Sequence, residues 1–191
     1  GQRPPVELHD SDGKPRRDIF TRVFKHGSTQ LVGLLCSDTA ANQKPSSAVL
    51  WLPEKRYVYD VRDHSFLGFT DRVALQIDLR PRFFALLPAR VDSMEFNGTI
   101  ASARSGTEVG IAGKINLAGK GKADEMAQAV HVRVFNAKGT ELEWFRQNIV
   151  FFGTSFKVDL PLSLSTPPGR YRIVAEHALT GTKSTTTLEV A

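Results

Sequence analysis

Two pairs of acids in this chain have the types and spacing that glycosidic-bond hydrolysis would use: Asp10 with Asp12, and Glu141 with Glu143. That chemistry needs two carboxyls facing each other across a cleft, about 5–10 Å apart. Asp10 and Asp12 instead flank the turn Asp10-Ser-Asp-Gly13, while Glu141 and Glu143 share one face of one expected strand. Both pairs read as turn chemistry or solvated surface. The histidines are His9, His26, His64, His131 and His177, and none has a partner at metal-ligand spacing or a cysteine cluster beside it. Four fall in expected turns or polar strand ends, and His131 is expected on the outward face of its strand. Cys36, the single cysteine, ends the apolar run Leu31-Val-Gly-Leu-Leu-Cys36. It reads as a small buried hydrophobe rather than a nucleophile, and it can form no intramolecular disulfide. No Gly-x-Ser-x-Gly elbow, P-loop or dinucleotide fingerprint occurs. Gly110-Ile-Ala-Gly113 reads as a strand interruption, not a phosphate cradle. The sequence therefore nominates no catalytic residue, no metal ligand, no cofactor-binding residue and no cofactor.

Aromatic side chains offer a different chemistry, because open π-faces stack on apolar ligand surfaces such as sugar rings. Trp51, inside Ala48-Val-Leu-Trp-Leu52, is expected in the core. Tyr57 and Tyr59 share one strand face and suit either a platform or the cover of a sheet. Trp144 and Phe145 are adjacent, so one of them should point outward. Asn97-Gly-Thr99 matches a glycosylation acceptor, although Asn-Gly there reads more simply as an interdomain turn.

The formal net charge of +5 invites a nucleic-acid partner. The distribution argues against one: Arg16-Arg17 and Lys55-Arg56 are the adjacent basic pairs, far apart in the chain, and Lys and Arg are interspersed with Asp and Glu. A nucleic-acid surface concentrates its cations in a stripe. No run approaches the ~20 apolar residues that a membrane-crossing helix requires, so neither nucleic acid nor membrane insertion is expected.

The elements that must carry these residues alternate apolar and polar positions, the period of half-buried strands. Expected strands cover Ile19–Lys25, Thr29–Cys36, Ala48–Leu52, Tyr57–Val61, Val73–Ile77 and Arg82–Leu87, with Pro53-Glu54 turning the chain. The stretch from Tyr57 to Pro88 reads as a β-meander. A polar loop fills Ser37 to Ser46, and the residues before Arg17 carry no expected strand. The later set covers Glu108–Asn116, the Val130-Val132-Val134 segment, Leu142–Val150, Ser155–Leu162, Arg170–Ala175 and Thr185–Val190. Asp124–Ala129 is at most a loop or a single turn. With 191 residues, this pattern predicts an all-β chain of two consecutive antiparallel β-sandwich domains, residues 1–95 and 96–191, the second immunoglobulin-like. Gly169-Arg-Tyr171 has the form of a tyrosine corner, which belongs to that second fold.

Tyr57-Val-Tyr-Asp-Val-Arg62, Phe66-Leu-Gly68, Thr70-Asp71 and Phe83-Phe-Ala-Leu-Leu-Pro88 resemble the C-terminal β-sandwich of large bacterial glycoside-hydrolase-like proteins of the β-galactosidase type. The resemblance covers about residues 15 to 90. Pro167-Pro-Gly-Arg-Tyr171, Leu179-Thr-Gly181 and Thr185–Val190 resemble bacterial immunoglobulin-like modules of surface proteins and macroglobulins. Such proteins keep their catalytic acids in a barrel that this sequence does not contain, so no active-site residue carries over. The resemblance implies a non-catalytic accessory region of an exported protein, whose partner is the catalytic domain of the same parent chain. Gly1-Gln-Arg-Pro-Pro5 without an initiating Met fits such a piece. A carbohydrate-binding module with a polysaccharide partner, and a free-standing adhesion or protein-interaction module, are the alternative readings. On the leading reading, an exposed apolar patch should mark where the catalytic domain docks.

Overall fold

A computed structural model describes residues 6–36, 45–78, 80–98, 100–119 and 121–191. Most of the expected polar loop after Cys36, and Thr99 of the acceptor pattern, lie outside them. The chain divides into two compact units, Gly1–Ala89 and Arg90–Ala191. The division falls six residues before the expected one because the strand Arg90–Phe96 hydrogen-bonds to Gly113–Ala118 of the second unit.

The first unit holds β1 (Glu7–Asp10), β2 (Ile19–His26), β3 (Thr29–Cys36), β4 (Ser46–Asp60), β5 (Ser65–Ile77) and β6 (Arg82–Leu87). They form one antiparallel sheet that folds over on itself into a sandwich. The first half of β4 pairs with β1 and with the end of β5; its second half pairs with the start of β5 and with β6, which continues to β3 and β2. The enclosed core includes Leu8, Val32, Leu34, Leu50, Val58, Val73, Leu75, Phe84 and Leu86.

Three expectations are corrected in this unit. Pro53-Glu54 is not a reversal. Trp51 pairs with Arg72 and Arg56 with Thr70, so residues 52 to 55 stand opposite Asp71 alone and make a wide bulge. Proline fits there because a bulged residue need not donate to the ladder. The meander fails as well, since β6 pairs with β4 and β3 rather than with β5. Finally, β1 is a strand that polarity concealed: Leu8 and His9 are buried against β4.

The resembling motifs turn out to be structural devices. Asp60, 1% exposed, accepts hydrogen bonds at Oδ1 from the backbone N–H of Arg62 and Asp63, closing the β4–β5 turn. Its Oδ2 accepts from Arg82 Nη2 at 2.5 Å, which ties that turn to the start of β6. Leu67 is an extra residue between the pairs Val58–Gly68 and Tyr59–Phe66, and Gly68 at φ 117° supplies the left-handed backbone of this second bulge. Phe84, Ala85, Leu86 and Leu87 are buried on both faces of β6, which accounts for their unbroken apolar run.

The second unit holds β7 (Arg90–Phe96), β8 (Ile100–Ala103), β9 (Glu108–Ala118), β10 (Ala127–Phe135), β11 (Gln147–Phe152), β12 (Ser155–Pro161), β13 (Gly169–His177) and β14 (Lys183–Val190). One sheet runs β12-β9-β7 and the other β11-β10-β13-β14-β8, with β8 parallel to β14. Two sheets joined this way make the immunoglobulin-like sandwich. Ile111, Ile115, Phe156 and Val158 line one inner face, and Val130, Val132, Ile173 and Leu188 are among the buried residues of the other sheet. The tyrosine corner is present: Tyr171 O–H donates to the Pro167 carbonyl at 2.7 Å.

Here too the local reading changes. Gly110–Gly113 does not interrupt a strand, because β9 runs through it. Gly113 is there because the Phe156 ring lies across its Cα, 2.2 Å from where a Cβ would stand. Leu142–Val150 is not one strand either. Glu143–Phe145 is a 3-10 turn, and β11 starts only at Gln147. Ala123–Glu125 is another single 3-10 turn.

Candidate functional site

The 3-10 turn Glu143–Phe145 sits at one end of the immunoglobulin-like unit and parts its two aromatics. Phe145 enters the core, while Trp144 stays 75% exposed. Arg146 holds the turn in place by donating from Nε and Nη2 to Glu141 Oε1 at 3.0 and 2.7 Å, with Glu143 Oε1 3.8 Å away. Glu141 and Glu143 thus hold a cation at the surface and do not face each other across a cleft. Before this turn, Asn136 Oδ1 accepts from the N–H groups of Lys138 and Thr140, both at 3.0 Å, and Gly139 at φ 79° completes the reversal.

On the far side, the chain from Ser163 to Pro168 enters β13. Ser163 Oγ lies 3.0 Å from Ser165 Oγ and 3.1 Å from Thr166 Oγ1. Ser105 Oγ donates to the Thr166 carbonyl at 2.7 Å. Between these walls lies a groove of about 660 Å³, floored by Leu142, Phe145 and Tyr171. Burial pushes the Tyr171 hydroxyl above the ordinary phenol range, which keeps it a donor to Pro167. From the sequence Trp144, Phe145 and Tyr171 stood out; Ser163, Ser165 and Thr166 went unnoticed. Their one signal was position, since both flanking segments are turns: Asn136-x-x-Gly139 and Pro167-Pro-Gly169.

A second surface lies on the first unit. Register places Phe24, Leu31, Ala85, Tyr59 and Phe66 on one side of the sheet, in line across β2, β3, β6, β4 and β5. Phe20 opposite Leu35, and Leu87-Tyr57-Phe69, extend the same side. Tyr59 is buried under Phe66, with ring centroids 5.1 Å apart, and Tyr57 packs on Phe69 at 4.7 Å. The two tyrosines therefore cover the sheet and form no open platform. Phe20, Phe24 and Phe69 are each more than half exposed, and Leu35, Phe66 and Leu67 more than a third.

The remaining nominated residues fall into structural places. Asp10 Oδ1 accepts from the N–H groups of Asp12 and Lys14, which is turn chemistry. His9 and His177 are buried, contrary to the expectation of turns and polar ends. Trp51 stands on the outward side of β4 and not in the core; inner positions there are Ala48, Leu50 and Leu52. Cys36 is half-buried and donates its S–H to the Asp78 carbonyl at 3.0 Å. Burial raises the thiol above its usual range, and the nearby Asp18 and Asp78 charges add to this. Among the described residues, no three of His, Cys, Asp and Glu stand close enough to hold a metal ion. No helix among them is long and apolar enough to cross a membrane.

No protein-family model and no curated protein sequence matches the chain. Solved structures similar to it include the titin domains Z1Z2 in complex with telethonin, at 14% identity and TM-score 0.32, covering 97% of this chain and 79% of that one. An α2-macroglobulin mutant from Salmonella is similar at 13% identity and TM-score 0.38, over 91% of this chain and 12% of that one. β-Glucuronidase 2 of Bacteroides uniformis is similar at 13% identity and TM-score 0.32, over 85% and 26%. Likenesses of this size carry neither descent nor activity across. The chain is an all-β protein of two consecutive sandwich units.

Proposed function

We propose that this chain is the non-catalytic accessory region of a larger, exported glycoside-hydrolase-like protein, and that its first unit braces the catalytic domain of the same parent. The observation that carries the reading is the outward aromatic side of the first sheet, with Phe20, Phe24, Phe66 and Phe69 exposed around a buried centre of Ala85 and Leu87. Scattered exposed apolar residues need no explanation, but a contiguous set on one sheet face calls for a partner. Covering such a face contributes roughly 25 cal/mol per Å² of apolar area removed from water. The motif resemblance supplies the identity of that partner. The residues that carry it serve folding, as the roles of Asp60, Gly68 and the β6 run illustrate, and they fit a supporting domain.

The test starts from the gene. The reading frame upstream of the Gly1 codon should continue into a barrel domain. That barrel, purified separately, should bind this chain, and Phe20→Glu with Phe69→Glu should abolish the complex while each partner keeps its circular dichroism spectrum. An initiating codon immediately before Gly1, or a complex indifferent to both substitutions, would overturn the proposal.

A further inference from the structure

We infer that the groove beside Trp144 is an oligosaccharide-binding subsite. The groove belongs to the second unit alone and is independent of the docking face of the first. One wall is an indole that is 75% exposed and so has π-surface available to a ligand. Leu142, Phe145 and the Tyr171 ring make an apolar floor. The lining also includes Ser163, Ser165 and Thr166, whose hydroxyls bond to one another so that either oxygen of each pair can be the donor. Such a set accepts or donates according to what it meets.

A pyranose ring presents those two chemistries together: an apolar C–H face that stacks on an aromatic ring, and a rim of hydroxyls that both donate and accept. Competing occupants fit less well. A polyproline peptide also stacks on aromatics, but its tertiary amides offer only carbonyl acceptors, which would leave the acceptor lone pairs of these hydroxyls unused. A nucleic acid would meet one cation, since Lys138 is the only basic residue among the described residues lining the groove. The volume of about 660 Å³ lies in the range of small-molecule sites.

The frame is also fixed before any ligand arrives. Pro167 and Pro168 stiffen one rim, the Tyr171 hydroxyl is committed to Pro167, and Arg146 clamps the turn that bears Trp144. Preorganisation of this kind lowers the entropy lost on binding.

The 191-residue chain should be screened on a glycan array and then titrated calorimetrically with cellohexaose, xylohexaose, mannohexaose and trigalacturonate, with poly-L-proline in parallel. The expected result is saturable binding of at least one saccharide. Trp144→Ala should weaken it about tenfold or more, and Trp144→Phe should retain most of it. Trp144 is so exposed that the alanine variant should fold. Ser163→Ala, tested beside it, should shift the preference among saccharides. No binding to any saccharide, saccharide binding that survives Trp144→Ala, or binding of poly-L-proline alone would each overturn the inference.

Discussion

The imidazole of His9 lies flat on the indole of Trp51, with centroids 4.1 Å apart and planes 13° from parallel. The guanidinium of Arg72, from the strand on the other side of β4, sits 3.8 Å from the same ring centre. His9 Nδ1 donates to the Gly13 carbonyl and Nε2 to Glu7 Oε2, both at 2.9 Å. Both partners are pure acceptors, so the doubly protonated ring is the form that satisfies them, with the indole face favouring the cation as well.

A pH dependence follows. The Gly13 carbonyl first, then Glu7, raise His9 above the ordinary histidine range. A raised folded-state value means that the contribution is fully present below about 6.5, the unfolded value, and is lost as pH rises through the folded one. Thermal melts of the wild-type chain and His9→Asn should therefore differ most at pH 5.5 and converge toward pH 9. A gap that is constant over this range would show that the ring is not held as a cation.

Gly113→Ala should destabilise the second unit by about 1–3 kcal/mol, because its Cβ would meet a buried ring instead of a flexible chain end. The Phe156 ring that must yield also packs edge-on against Phe96, with centroids 5.9 Å apart. Gly110→Ala is the control: there the nearest atom is Cε of Lys157, at 2.9 Å, which can swing away. Urea midpoints should separate the two variants, and equal midpoints would refute the role assigned to Gly113.

Fully buried His177 donates from Nε2 to Gln128 Oε1 at 2.8 Å and accepts at Nδ1 from the Thr180 hydroxyl at 2.9 Å. Gln128 Nε2 in turn donates to the Gly153 carbonyl at 3.3 Å. Gln128→Leu keeps the volume but removes one acceptor and one donor from a dry site, at a cost of about 1–3 kcal/mol. Chemical denaturation measures this directly, and an unchanged midpoint would mean that the network contributes nothing to stability.

Cys36 should react slowly with a disulfide reagent at pH 8 in the native chain and quickly in denaturant. Its thiol is half-buried, bonded to Asp78 and held above its usual range by burial. Equal native and denatured rates would contradict that environment.

Alternation made most of the strands legible. Arg82–Leu87 and Thr29–Cys36 could be read to the residue, and Gly169-Arg-Tyr171 announced its corner. What stayed hidden depends on partners that a linear pattern does not contain. β1 is polar at Glu7, His9 and Asp10 and becomes a strand only by pairing with β4. Pro53 looks like a reversal until the opposite strand shows the bulge, and Gly113 looks like a break until Phe156 is placed over it. The groove escaped for the same reason, since Trp144 and Ser163 are brought together by the fold and nothing near either in sequence points to the other.

Because β4 carries hydrogen bonds for both layers of the first unit, neither layer is a separable part. Its amides on either side of Pro53 report on both layers through one strand. Chain opening there must release the β1 side and the β6 side together, so the sandwich should unfold as a single cooperative block, with no stable half left to be cleaved or swapped between molecules.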